Sequence, residues 1–293
     1  MRIALFGSPF SKHFVKYIQH LIHKIESEKK QQILVEEEFF KFLEKQVRFK
    51  QDVQNFRSFD DLRGNADFLI SIGGDGTLLK AATLVKNSNI PIMGINTGRL
   101  GFISSISLDQ IDDAINSLIK ESYKINNRTL LQLDTKEQLF KDMNFALNEV
   151  AITKKDTSSM IKIEAYLNDE FLNTYWADGL IISTPTGSTG YSLSCGGPII
   201  MPGTGNIIIT PITQHNLNVR PIVVEDSSII KLKVEDRDQL ALVSLDSRSR
   251  AFDSSIELTI KKADFYIKLI ELKDNTFIPT VRNKLMWGID KRN

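Results

Sequence analysis

The sequence contains very little cysteine, because Cys195 is the only one in 293 residues. A single thiol excludes an intramolecular disulfide, and a reducing compartment is the simpler interpretation. Charge of one sign is also lacking, since 37 basic and 36 acidic residues leave a net charge of +1. This balance excludes a strong overall field that would recruit nucleic acid or an anionic membrane.

Long hydrophobic runs are missing as well. No apolar stretch of the sequence approaches the roughly 20 residues needed to cross a bilayer. The apolar run in MRIALFGSPF stops at Gly7, which is too early for a signal peptide and suits the first strand of a domain. We therefore expect a cytoplasmic chain with no membrane or nucleic-acid partner. Its length suits one large domain or two of ordinary size.

Strand and helix patterns alternate over about the first 120 residues. Strands are predicted in RIALFG, at the start of ILVEEEFFKFLEKQV, in ADFLISIGG and in IPIMGIN. Helices are predicted over 12–29, after ILV, in TLLKAATLVKN and in LDQIDDAINSLIK. This alternation predicts an α/β domain with a parallel sheet covered by helices.

Period-two alternation replaces the helical pattern after about residue 122. It occurs in LQLDTK, FALNEVAITK, IKIEAYLNDEFLN, IIKLKVED, LALVSLD, IELTIKKAD and FYIKLIEL. Asn168-Asp169 marks a hairpin turn, and helix is expected only just after TPTGSTGYSLS. We predict an α/β domain over 1–122 and a mostly β, sandwich-like domain over 123–272. A helical tail over 273–293 would pack back on the first domain.

The segment GGDGT, residues 73–77, is a glycine turn between a predicted strand and a predicted helix. Such turns bring backbone N–H groups close to a ligand, usually a phosphate. The spacing matches neither the dinucleotide fingerprint nor the Walker loop. Taken alone, it is best explained as a tight turn with Asp75 as a helix cap. The functional alternative gives Asp75 a hydroxyl proton to accept during attack on a phosphoryl group.

Three further segments are candidates for chemistry. GINTGRLGFIS, 94–104, is a second glycine loop, and taken alone its glycines are explained by the turn that must follow a strand. DGLIISTPTGSTGYSLSCGGPI, 178–199, has so many hydroxyls and glycines that a phosphate or ribose site is favoured. Asn148-Glu149 would suit both hydroxyls of a ribose, although two solvated loop residues are the simpler interpretation of that pair alone. His215 and Cys195 are interpreted as a surface residue and a packing residue.

In this order, GGDGT, NTGRLGF, NE, DGLIISTPTGSTGYSLSCGGPI and HNLNVRPIV resemble the NAD kinase family over most of the chain. GGDGT alone is weaker, because lipid kinases of the diacylglycerol and sphingosine type share it and phosphofructokinase has a similar motif. The resemblance implies an N-terminal α/β domain and a β-rich second domain, with the active site in the cleft between them. It implies phosphorylation of the 2′-hydroxyl of the adenosine ribose of NAD+, by ATP or another phosphoryl donor, to give NADP+.

The resemblance also implies residue roles. Asp75 matches the acceptor of the 2′-hydroxyl proton, Gly76 approaches the NAD+, and Lys80, in the first turn of its helix, lies near the phosphates. The second glycine loop, Gly98 to Phe102, walls the pocket. Asp178 orients the nicotinamide end. The other matched substrate positions are Asn148, Glu149, Thr189, Gly190, Tyr191, Ser192, Leu193 and Ser194, and Trp176 and Arg248 are further substrate candidates at positions where the pattern is not matched.

The chain departs from the family pattern at three places. Gly190 stands where alanine is more frequent, and Trp176 stands where many members have arginine. Asp246-Ser247-Arg248 replaces Asp-Gly-Gln, and the charge of Arg248 would suit a phosphate.

The expected cofactor is a divalent cation, Mg²⁺, held mostly by the triphosphate, with no metal site on the protein. The resemblance also implies a homodimer or homotetramer. Two alternatives stay open: a lipid or sugar kinase that shares only GGDGT, and a non-catalytic sensor of NAD(P). The sequence leaves undecided ATP or polyphosphate as donor, NADH as acceptor, and feedback regulation.

Overall fold

The computed structural model describes residues 1–28, 31–98, 101–155, 160–213, 218–236, 239–273 and 276–286. The chain divides into two compact units. Unit 1 comprises Met1–Asn127 and Ile267–Asn293, and unit 2 comprises Arg128–Tyr266. The domain limits expected from the sequence, with a separate tail, stay predictions.

The described residues form α-helices and short 3-10 turns. The α-helices are α1 (Val15–Ser27), α2 (Glu37–Leu43), α3 (Phe59–Leu62), α4 (Asp75–Val85), α5 (Ile111–Ile119), α6 (Tyr191–Ser194) and α7 (Phe277–Leu285). The 3-10 turns are Lys12–Phe14, Leu108–Gln110, Lys141–Met143 and Gly187–Thr189. None of the helices in the described ranges is long and apolar enough to cross a membrane.

The strands are numbered in chain order. The first nine are β1 (Arg2–Gly7), β2 (Gln32–Glu36), β3 (Gln54–Phe56), β4 (Phe68–Ile72), β5 (Ile92–Ile95), β6 (Lys124–Asp134), β7 (Phe145–Ala146), β8 (Glu149–Lys154) and β9 (Ile161–Leu167). The others are β10 (Glu170–Ala177), β11 (Gly179–Ser183), β12 (Asn206–Ile212), β13 (Ile222–Glu225), β14 (Ile230–Glu235), β15 (Leu240–Leu245), β16 (Arg248–Asp253) and β17 (Leu258–Glu271).

Unit 1 is built on a parallel sheet in the order β3-β2-β1-β4-β5. The end of β17 extends it, because Leu269 pairs in parallel with Ile92 of β5. All four residues of β5 and four of the five in β4 are buried, as expected for strands covered on both faces. The α/β prediction for the first half of the chain is confirmed.

Helix α1 shows how the sequence pattern sets the packing of unit 1. Ile18, Leu21, Ile22 and Ile25 recur at helical spacing and are buried in the core. The α-helix begins at Val15, and a 3-10 turn precedes it, so the predicted start at residue 12 was three residues early. Helix α7, Phe277–Leu285, confirms the helical prediction for that part of the tail, and residues 287–293 lie outside the described ranges.

Unit 2 is mostly β and has two sheets with one shared core. One sheet is antiparallel in the order β13-β12-β11-β8-β15-β16, and the other pairs β10, β9, β14 and β17 antiparallel in that order. The core contains alternate residues of both, for example Ile152 and Ile182 from the first and Ile163 and Leu232 from the second. The sandwich-like prediction is confirmed. The hairpin at Asn168-Asp169 is confirmed too, since both residues have positive φ.

Strand limits in unit 2 differ from the sequence prediction in two places. IELTIKKAD and FYIKLIEL form one continuous strand, β17. FALNEVAITK is not continuous, because β7 ends at Ala146 and β8 begins at Glu149. The backbone N–H groups of Leu147 and Asn148 donate to the Asp246 side chain instead of to a neighbouring strand. Asn148 lies in this break, and Glu149 is the first residue of the strand that follows it.

Candidate active site

Asp75 is the first residue of α4 and follows the glycine turn that ends β4. Its carboxylate accepts three backbone N–H groups, from Phe102 to Oδ2 at 2.9 Å and from Ile103 and Ser104 to Oδ1 at 3.2 and 2.9 Å. An ionised carboxylate has about four lone-pair acceptor sites. The three bonds therefore fix the orientation of Asp75 and leave about one acceptor site for a further donor.

The two glycine loops of unit 1 are joined by a further hydrogen bond, in which the Ser104 hydroxyl donates to the Gly73 carbonyl at 2.9 Å. Within the second loop, the buried Asn96 amide donates to the Ser104 carbonyl at 3.2 Å. Gly101 allows the close approach, because a Cβ atom there would lie 1.9 Å from Oδ1 of Asp75. Gly98 to Phe102 are predicted to form one wall of the substrate pocket. Two residues of this loop, Arg99 and Leu100, lie outside the described residues, and the prediction stays a prediction.

Gly76 and Lys80 are exposed on α4. Since α4 begins at Asp75, Lys80 lies in its second turn, and the predicted first-turn position was wrong. The motif GGDGT supplies the start of the helix itself, which the sequence prediction had placed two residues later.

Asn148 and Glu149 carry buried oxygen atoms. Oδ1 of Asn148 and Oε2 of Glu149 have no hydrogen-bond partner in the part of the chain that the structure describes. Only 9% of the Glu149 surface is exposed, so the alternative of two solvated loop residues is wrong for Glu149. Buried polar atoms in proteins nearly always have partners, and two adjacent exceptions point to a ligand.

The surroundings of Glu149 disfavour its charge. Burial, and to a lesser extent the nearby Asp246 carboxylate, raise the pKa of its carboxyl from 4.5 to about 7, whereas the backbone N–H of Tyr191 opposes the shift. Burial raises the pKa of Asp246 too, while the N–H groups of Leu147, Asn148 and Glu149 oppose that change. An acidic group that titrates near neutrality is typical of functional sites.

Thr184, in the hydroxyl-rich segment, forms hydrogen bonds with the backbone next to Asn148 and Glu149. Thr184 donates its N–H to the Asn148 carbonyl at 2.9 Å and its hydroxyl to the Leu147 carbonyl at 2.6 Å. The same hydroxyl accepts the N–H of Gly187 at 3.1 Å. Thr184 is completely buried, so it acts as an anchor that the sequence analysis did not single out.

The residues from Thr189 to Ser194 differ in what their side chains reach. Gly190 adjoins the buried pair, since a Cβ atom there would lie 3.0 Å from Oε2 of Glu149. Tyr191 and Ser194 are exposed, and Thr189 and Leu193 are half-buried. The Ser192 hydroxyl is buried and pairs with Thr210 at 2.8 Å. The structure therefore brings Gly190 and Tyr191 to Glu149 and uses the Ser192 hydroxyl for packing.

Asp178, Trp176 and Arg248 have distinct environments. Asp178 is half-buried and forms an ion pair with Lys154 at 2.6 Å. Trp176, on β10, is 53% exposed. The Arg248 guanidinium donates to the carbonyl oxygens of Met143 and Phe145, so two of its donors are used within the protein. His215, for which a ligand contact was considered, lies outside the described residues.

Family models match both halves of the chain. The ATP-NAD kinase N-terminal domain matches residues 9–123, and the ATP-NAD kinase C-terminal domain matches 147–272. The NAD kinase of Cytophaga hutchinsonii is 50% identical, and that of Flavobacterium psychrophilum is 49% identical, each over the whole of both chains.

Two solved structures show the same fold. The yeast NADH kinase complexed with NADH has a TM-score of 0.88 at 22% identity and covers 99% of this chain and 89% of its own. An NAD kinase from Archaeoglobus fulgidus in complex with ATP has a TM-score of 0.75 at 24% identity, covering 98% and 99%. The chain belongs to the NAD kinase family. It is therefore a kinase, and the alternatives of a lipid or sugar kinase and of a non-catalytic sensor are wrong.

Proposed function

We propose that Asp75 is the general base in the transfer of a phosphoryl group from ATP to the 2′-hydroxyl of the adenosine ribose of NAD+. The hydroxyl proton passes to a carboxylate oxygen of Asp75 as the 2′-oxygen bonds to the γ-phosphorus. The bond between that phosphorus and the bridging oxygen breaks, and ADP leaves with the electron pair. The products are NADP+ and ADP.

The hydrogen bonds of Asp75 support this role. Backbone N–H donors on Phe102, Ile103 and Ser104 hold the carboxylate at one orientation. A base that is already oriented loses less freedom when the substrate hydroxyl arrives. The remaining acceptor site suits a single hydroxyl donor.

The observation that carries the NAD+-binding part of the proposal is the pair of buried, unpartnered oxygens on Asn148 and Glu149 among the described residues. Two hydroxyl groups of a ribose would supply the donors that Oδ1 and Oε2 lack. These hydrogen bonds would contribute substantially to the free energy of binding, because leaving a buried acceptor unsatisfied costs about 1–3 kcal/mol. We assign Asn148 and Glu149 to ribose binding.

The remaining site residues are assigned to the substrates by their position and chemistry. Exposed Lys80 is assigned to the phosphates, Gly76 to close approach of the NAD+, and Asp178 to the nicotinamide end. Trp176, whose ring is exposed, is assigned to the substrate without a particular contact. The adenine and ribose would be bound by Thr189, Gly190, Tyr191, Ser192, Leu193 and Ser194, with Ser192 contributing through its backbone.

A divalent cation is normally needed by ATP-dependent phosphotransferases of this kind, and we propose Mg²⁺. Within the described ranges there is no group of three or more His, Cys, Asp or Glu side chains that would hold a metal. We propose that the cation arrives with the triphosphate oxygens. A cytoplasmic homodimer or homotetramer is the assembly we propose.

The first test is the reaction itself. Purified chain is incubated with NAD+, ATP and Mg²⁺, and NADP+ is measured with a dehydrogenase specific for NADP+. Polyphosphate in place of ATP and NADH in place of NAD+ define the donor and the acceptor. We expect NADP+ from ATP and NAD+, and its absence with every donor would overturn the proposal.

A further inference from the structure

The turn between β15 and β16 contacts the backbone of the segment that carries Asn148 and Glu149. Asp246, whose side chain is 5% exposed, accepts the N–H groups of Leu147 at 3.0 Å, Asn148 at 2.7 Å and Glu149 at 3.2 Å. Its own N–H donates to the Glu149 carbonyl at 3.0 Å. One carboxylate thus fixes three successive peptide groups.

Arg248 contacts the same segment from the other end of the turn. Its Nη1 donates to the Met143 carbonyl at 2.6 Å, and its Nη2 donates to the Phe145 carbonyl. The guanidinium also lies over the Phe145 ring, 5.4 Å from its centroid. Because two donors of its planar fork and one face of its plane are engaged, the group is directed at the backbone of 143–145.

We propose that Asp246 and Arg248 are positioning residues that hold the segment 143–149 in the conformation in which Asn148 and Glu149 bind NAD+. The inference rests on the proposed role of Asn148 and Glu149. It gives Arg248 a task other than contact with a substrate phosphate. Acceptor and donor are complementary here, since the carboxylate binds N–H groups and the guanidinium binds carbonyl groups.

The position of Asp246 explains why the residue is an aspartate. Its φ of 53° lies in the left-handed region, which aspartate and asparagine tolerate better than most residues. Asp246→Asn therefore keeps the turn and the side-chain shape. The amide has one acceptor oxygen, and its NH2 group faces an N–H donor, so at least one of the three backbone bonds is lost.

The test compares Asp246→Asn, Arg248→Lys and the wild type in steady-state kinetics. We expect kcat/KM for NAD+ to fall about 10- to 100-fold in Asp246→Asn, since displaced binding groups cost rates of that order. The KM for ATP should change less than about twofold, because ATP contacts are not assigned to this segment. Arg248→Lys keeps the charge and one bond, so a smaller fall is expected.

A matched control separates positioning from general destabilisation. Asp226, in unit 2, is also a largely buried carboxylate and pairs with Lys262 at 2.8 Å. Asp226→Asn should leave kcat/KM for NAD+ unchanged even where it lowers the melting temperature. Equal losses in Asp226→Asn and Asp246→Asn would overturn the positioning role.

The pH profile gives a second readout that a purely structural effect does not move. The groups that act on Glu149 are the Asp246 carboxylate on the turn and the N–H of Tyr191 on α6, and Arg248 lies 4.0 Å from Asp246. Removal of the Asp246 charge lowers the pKa of Glu149, so the acidic limb of kcat/KM for NAD+ should move to lower pH. An unmoved limb with a lower plateau would contradict the inference.

Glu149→Gln distinguishes failure of the inference from failure of the proposed function. If Glu149→Gln leaves the KM for NAD+ unchanged, the assignment of Glu149 to NAD+ fails. If it raises that KM while Asp246→Asn and Arg248→Lys match the Asp226→Asn control, only the positioning role fails. The double variant Glu149→Gln/Asp246→Asn should lose less than the product of the single losses.

Discussion

Glu149 is a carboxylate in surroundings that disfavour its charge, and this has a measurable effect on stability. The pKa of the folded carboxyl is about 7 and that of the unfolded chain about 4.5. The folded state therefore binds the proton more tightly between these values. The cost of the buried charge is absent below pH 4.5, grows as the pH rises, and is complete above pH 7.

Glu149→Gln should remove this pH-dependent cost. A shift of this size corresponds to about 3 kcal/mol of unfolding free energy at pH 8. We expect the variant to be more stable than the wild type at pH 8, with a difference that shrinks toward pH 5, while its affinity for NAD+ falls. Thermal unfolding of both proteins at several pH values measures this. A stability difference that is the same at pH 5 and pH 8 would argue against a buried titrating group.

Gly101 gives a prediction about the orientation of Asp75. An alanine Cβ at this position would lie 1.9 Å from Oδ1 of Asp75, so the carboxylate must move. Gly205, in unit 2, is a control outside the assigned site, since its Cβ would lie 3.6 Å from its nearest neighbour, Asp226 Oδ1, which is ordinary contact. We expect Gly101→Ala to lower kcat about 100-fold and Gly205→Ala to stay near the wild type. Similar kcat values for the two variants would mean that the loop does not orient the base.

Among the elements, the hydroxyl-rich segment has a structural task beside its ligand contacts. The Thr184 hydroxyl donates to Leu147 and accepts from Gly187, and it is completely buried. Thr184→Val keeps the shape and leaves both backbone groups unsatisfied, which costs about 1–3 kcal/mol. Thr83→Val, which removes one bond to the Lys80 carbonyl in the half-exposed part of α4, is the control and should cost much less. Denaturant unfolding of both variants tests the difference.

Element types were predictable where one period extended over many residues. Helix α1 and the strands of unit 1 follow from their apolar spacing, and the hairpin follows from Asn168-Asp169. The break between β7 and β8 was not predictable, because alternation continues through FALNEVAITK while a side chain about 100 residues later takes the N–H groups. Strand β11 was not predicted either, because its residues belong to a segment that was interpreted only as a possible ligand site.

Candidate site residues were predictable as residue types, but their burial and contacts were not. Nothing in the local sequence shows that the Ser192 hydroxyl pairs with Thr210 or that Glu149 is buried. Those facts depend on long-range contacts. The roles of Asp246 and Thr184 have no local signal, although the departure at Arg248 drew attention to the turn.

At the scale of the whole molecule, unit 1 is discontinuous in sequence. Ile270 and Leu272 lie in its core, and Val281 of α7 is buried. A chain that ends after Tyr266 lacks all three, and losing large buried side chains costs about 2–5 kcal/mol each. We expect this truncation to abolish cooperative unfolding of unit 1, measured by hydrogen exchange of β1 and β4. Full protection of both strands in the truncated chain would contradict the assignment of these residues to the core.

The account depends most on Asp75 as the general base, and the single-turnover rate of NADP+ formation by Asp75→Asn tests it directly. The control is Asp67→Asn, another carboxylate of unit 1, which accepts the N–H of Arg2 at 2.7 Å. With NAD+ and ATP saturating, we predict a rate about 100- to 10,000-fold below the wild type for Asp75→Asn. The dissociation constant of NAD+ should be nearly unchanged, and Asp67→Asn should react at the wild-type rate. A rate for Asp75→Asn equal to that of the wild type would contradict the account.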